Sequence, residues 1–126
     1  GAGAAGVSQF VDQQLSIDPQ ECLLMCKYFP DIKAPFLNFY RNGIAALTST
    51  SLEKFKQPFG QLSDEQKDAH TNAIWRGEVV NWQGPPPPLF YMMVRSDAVD
   101  VVYGTKEGFD KLNVPYMAHI MPEEKW

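Results

Sequence analysis

No part of this chain concentrates positive charge. Its 11 lysines and arginines face 15 acids for a net charge of −4, and no long basic run occurs. The phosphate-neutralising patch that nucleic-acid binding requires is therefore missing. Histidine and cysteine are scarce, with 2 of each, and no H-E-x-x-H or other metal spacing joins them. No uncharged apolar run approaches the ~20 residues of a membrane-spanning helix. Sustained strand-like alternation and hairpin glycines are absent, which argues against a β architecture. A G-x-S-x-G elbow, a P-loop and a dinucleotide fingerprint are absent too. Gly104 and Gly108 stand close together, but no preceding strand would set them under a pyrophosphate.

What is present is helical. Apolar residues make up 44% and charged residues 21% of 126 residues, a globular balance sized for one domain over 1–126. Gly1 to Gly6 runs straight into an amphipathic stretch, so Gly1 is read as an internal residue that followed an upstream segment. Val7, Phe10, Val11 and Leu15 predict a first helix ending near Ser16. Asp18-Pro19-Gln20-Glu21 is a start signal for a second, which would carry Cys22, Leu23, Met25, Cys26 and Phe29 up to Pro30. After Pro35, Phe36, Phe39, Tyr40, Ile44 and Leu47 recur at three- and four-residue steps. Gly43 and Ala45-Ala46 leave the middle of that helix narrow enough for a neighbour to come close. Ser63 and Gln66 form a capping box for a helix reaching Arg76-Gly77. The last of the prolines Pro85 to Pro88 can open a further helix, with Leu89, Met92, Met93, Val99 and Val102 as its apolar face up to Gly104. The expected fold is all-α, a small irregular domain of about five helices with long Pro/Gly-rich loops and an extended C-terminal tail.

The inventory of chemistry is thin. His70 reads as a solvated residue on a polar helix. His119, within "YMAHIMP", reads as buried and bonded to a carbonyl, or else as a partner contact. Cys22 and Cys26 read as small buried apolar side chains, with a disulfide as the sharper alternative, either between them or to another chain. Two cysteines do not complete a four-ligand zinc or iron–sulfur site. No carboxylate pair stands in an apolar setting, and Glu107, Asp110, Glu123 and Glu124 look like ordinary surface charge. No residue is thus assigned to catalysis, to a cofactor or to a metal.

The inventory of contacts is full. The run "NWQGPPPPLFYMMV" from Asn81 to Val94 joins four prolines to aromatics and methionines, and more follow in the tail. Such residues are enriched at protein interfaces. The expected partner-facing residues are Trp82, Pro85, Pro86, Pro87, Pro88, Phe90, Tyr91, Tyr116, Met117, His119 and Trp126.

Four stretches, "GAGAAGVSQFVDQQL", "FYRNGIAAL", "PFGQLSDEQKDA" and "YGTKEGFDKLNVPYMAHIMPEEKW", occur in this order. Together they resemble the gluconate 2-dehydrogenase subunit 3 family, small subunits of bacterial FAD-dependent sugar and sugar-acid dehydrogenases. The tail "VPYMAHIMPEEKW" looks closest to small subunits paired with glucoside 3-dehydrogenase-like flavoproteins. The resemblance implies a non-catalytic chain that binds no cofactor of its own. It implies a large partner of the glucose-methanol-choline oxidoreductase type holding FAD and often an iron–sulfur cluster, with a c-type cytochrome commonly taking the electrons onward. It further implies twin-arginine export of the folded partner to the periplasm, where oxidising conditions favour a disulfide at Cys22 or Cys26. The alternative is a free-standing helical interaction module whose proline run docks in an aromatic groove.

Overall fold

The computed structural model describes residues 3–115, and among them it contains five α-helices and no strand. These are α1 (Val7–Leu15), α2 (Leu37–Phe55), α3 (Asp64–Arg76), α4 (Pro87–Tyr103) and α5 (Lys106–Lys111). Short 3₁₀ turns at Met25–Tyr28 and Phe59–Gln61 interrupt the connections.

Local chemistry explains most of these boundaries. At α3 the Ser63 Oγ accepts from the Gln66 amide at 3.2 Å, while Gln66 Oε1 accepts from the Ser63 amide at 3.0 Å. Gly77 closes that helix in the left-handed region at φ 70°. Helix α4 starts inside the proline run: Pro86 is its cap, and Pro87 and Pro88 fill positions whose missing N–H groups would have no helical partner in any case. Thr105 caps α5 by accepting from the Gly108 amide at 3.2 Å.

The helix expected from Pro19 to Phe29 does not form. Asp18 makes its turn, with Oδ1 accepting from the Gln20 amide at 2.8 Å and its carbonyl accepting from Glu21 and Cys22, and the chain then leaves the turn. Cys22, Leu24 and Cys26 are buried while Leu23 is 65% exposed. That is the two-residue period of an extended chain, concealed in the sequence by an unbroken apolar run. Gln14 holds the segment in place, its Oε1 accepting from the Leu23 amide at 2.7 Å.

The core lies where α2 and α4 meet this extended segment, and comprises Cys22, Leu24, Cys26, Ile32, Phe36, Phe39, Tyr40, Phe90 and Met93. The narrow middle of α2 is used as expected. The Phe90 ring rests on Gly43 so closely that a methyl group there would overlap it. Helix α3 packs on α4 on another side, where Trp75 and Tyr91 have ring centroids 5.2 Å apart.

Candidate functional site

Helix α4 turns Phe90, Met93 and Asp97 toward the interior, and α2 turns Tyr40 to meet them. The Tyr40 hydroxyl donates to Asp97 Oδ2 at 2.6 Å, and the Cys26 thiol donates to the Tyr40 oxygen at 3.2 Å. This chain of three polar groups is buried. Asp97 is 1% exposed, and its second oxygen, Oδ1, is shielded from water with no hydrogen-bond partner. A buried carboxylate with half of its acceptor capacity unmet is costly to ionise. Burial lifts the Asp97 carboxyl from 3.8 to about 6, the Tyr40 hydrogen bond opposes that rise, and the nearby charge of Asp100 adds to it. Burial also pushes the Tyr40 phenol far above its ordinary range, reinforced by the bond to Asp97. The Cys26 thiol is raised as well, by burial first, with the Tyr40 bond opposing. Thiol and phenol therefore stay protonated at neutral pH, which is the inert form of each.

The expectation concerned carboxylate pairs and did not reach Asp97, a lone acid in an apolar setting. The apolar face read on Leu89, Met92, Met93, Val99 and Val102 leaves Asp97 aside, whereas the structure buries Met93 in one row with Phe90 and Asp97. The signal was available: an acid at steps of three and four along the same row as a phenylalanine and a methionine.

His70 is a second correction. It is buried, not solvated, with Nε2 3.0 Å from the Thr50 hydroxyl oxygen. That hydroxyl gives its one proton to the Ala46 carbonyl at 2.8 Å, so the ring nitrogen facing it is the N–H donor. The other nitrogen, Nδ1, is buried without a partner. Phe55 lies edge-on to the ring at 5.5 Å and Phe59 flanks it at 6.3 Å. Burial, helped by the charge of Lys54, lowers the His70 pKa and keeps the ring neutral.

The expected interface residues separate. Phe90 is a core side chain, its ring resting on Gly43. The Trp82 indole N–H donates to the Pro85 carbonyl at 2.6 Å, and its ring lies 5.7 Å from that of Phe90. This latch holds the proline run against its own domain, leaving Pro86 exposed and Pro85, Pro87, Pro88 and Tyr91 half-buried. Cys22 and Cys26 are buried and both are free thiols. Tyr116, Met117, His119 and Trp126 lie outside the described residues.

Among the described residues no group of three or more His, Cys, Asp or Glu could hold a metal ion, and no helix is long and apolar enough to cross a membrane. An iron–sulfur cluster does not fit the two cysteines, since Cys26 is a buried, protonated donor to Tyr40.

No curated protein and no solved structure matches the chain. The family model for gluconate 2-dehydrogenase subunit 3 matches residues 1–120. With five helices, a short extended core segment and that match over nearly its whole length, the chain belongs to the gluconate 2-dehydrogenase subunit 3 family, subunits of multi-subunit dehydrogenase complexes.

Proposed function

We propose that this chain is the non-catalytic small subunit of a periplasmic, FAD-dependent sugar or glucoside dehydrogenase. It binds, stabilises and helps export a large subunit of the glucose-methanol-choline oxidoreductase type, which holds the FAD and an iron–sulfur cluster where one is used. A c-type cytochrome takes the electrons onward. The observation that carries this reading is the family match over residues 1–120. Leu23, Tyr28, Ile44, Val80 and Leu112 are each more than half exposed, apolar surface available to a partner. Because the small subunit binds only the folded large one, it stabilises that subunit by mass action.

Co-expression with a large flavoprotein subunit of this type tests the proposal. The two chains are expected to co-purify as a yellow complex that reduces a dye in the presence of sugar. The large subunit is expected to lose soluble, flavin-loaded yield when this chain is omitted, and the small chain alone to be inert. Sugar-dependent dye reduction by the small chain alone, or an unchanged large subunit in its absence, would refute the proposal.

A further inference from the structure

Helices α1, α2 and α4 enclose between them an open groove of about 520 Å³. Its walls are apolar: Val11 and Leu15 from α1, Ile44 and Leu47 from α2, and Phe90 and Val94 from α4. Ile44 is 55% and Val94 39% exposed at its mouth. Tyr40 and Asp97 also line it, so the half-satisfied carboxylate lies where the apolar walls converge.

Two deficits thus meet in one place. The walls leave apolar surface uncovered, which a greasy segment would remove from water. Beneath them Asp97 Oδ1 lacks a donor among the described residues. Among the described residues no side chain meets that need. Arg41 lines the same groove, yet among the described residues the one ion pair is Lys67–Asp64, far along the chain. The other charges near Asp97 are acidic, Asp12 on the groove and Asp100 one turn along α4. A second copy of this chain would bring a net charge of −4 against them. Charge complementarity therefore favours a cation delivered by a different polypeptide.

We propose that the groove between α1, α2 and α4 receives an apolar segment of the large dehydrogenase subunit that carries one lysine or arginine, and that this cation pairs with Asp97 Oδ1. The inference rests on the function proposed above and identifies the surface through which it acts. The mode is that of a segment laid in a hydrophobic groove, with the aliphatic walls supplying contact area and the buried acid fixing register.

The test uses the co-expressed complex. A photo-crosslinking residue is placed at Ile44 or Val94, with Leu112, exposed beyond α5, as the control position. Mass spectrometry is expected to place the products from positions 44 and 94 on a single apolar stretch of the large subunit containing a lysine or arginine. Asp97→Asn, which keeps an oxygen for Tyr40, is expected to weaken assembly about tenfold or more. Replacing the basic residue of the cross-linked stretch with glutamine should cost a similar factor. The two losses should not add when combined, an outcome that a purely structural role for Asp97 would not produce. Wild-type affinity in Asp97→Asn overturns the proposal, as do cross-links from 44 and 94 that fall on a second copy or on residues 116–126 of the same chain. If the unsubstituted chain fails to bind the large subunit at all, the proposed function falls and not merely its surface.

Discussion

Replacing Asp97 with asparagine should stabilise the isolated small subunit at neutral pH while weakening its complex. The substituted amide would have the shape of the protonated acid and would keep an oxygen for the Tyr40 proton. The wild-type carboxyl titrates at 3.8 when unfolded and at about 6 when folded. Between those values the folded state holds the extra proton, so unfolding free energy falls as pH rises, and the full penalty is present above pH 6. At about 1.4 kcal/mol per pH unit, the rise amounts to about 3 kcal/mol. The informative quantity is the difference in unfolding free energy between Asp97→Asn and wild type, measured by urea denaturation followed by circular dichroism from pH 3.5 to 7.5. That difference should grow in favour of the variant by about 3 kcal/mol over this span and level off above pH 6. For a chain of 126 residues it corresponds to a melting-temperature gain of roughly 10–15 °C at pH 7.5 relative to the value at pH 3.5. Other titrating groups, His70 included, contribute equally to both proteins and cancel. A difference that stays flat across the range would show that Asp97 is solvated or already paired, and the electrostatic argument for the groove would fail with it.

Other outcomes follow from the same packing. Gly43→Ala gains up to about 1 kcal/mol of helix propensity, but its methyl overlaps the Phe90 ring, and overpacking of about 1–3 kcal/mol should leave a net loss of stability in a urea melt. The His70 ring should carry less positive charge at pH 6.5 than a free imidazole, with the proton of its neutral form on Nε2, as read from its ¹⁵N shifts. Because its folded pKa lies below the unfolded value, the Asp97→Asn protein should lose stability as pH falls below about 6.5, where the unfolded ring gains its proton first. Cys22 and Cys26 should react with a thiol reagent only at the rate of unfolding, since both are buried and free. Rapid labelling of either in the folded protein would contradict the core described for residues 22–26.

Helix punctuation was legible wherever it depends on neighbours in sequence. The Ser63–Gln66 box, the Gly77 stop, the prolines opening α4 and the narrow waist at Gly43 act over a few residues, and each does in the fold what the chain implies. The segment from Pro19 to Phe29 was not legible, because a continuous apolar run fits a helix and a buried extended strand equally well. The Gln14 side chain, together with a core that accepts Cys22, Leu24 and Cys26, decides between them. The polar residues that carry the most consequence were hidden for the same reason. Beyond the row that Asp97 shares with Phe90 and Met93, nothing nearby in sequence names the partners: Tyr40 lies 57 residues from Asp97 and Thr50 lies 20 from His70. Capping, propensity and periodicity are local energies that the chain carries wherever it goes. Burial of a charge is a property of the enclosure, and only the packing of α1, α2 and α4 around Asp97 creates it.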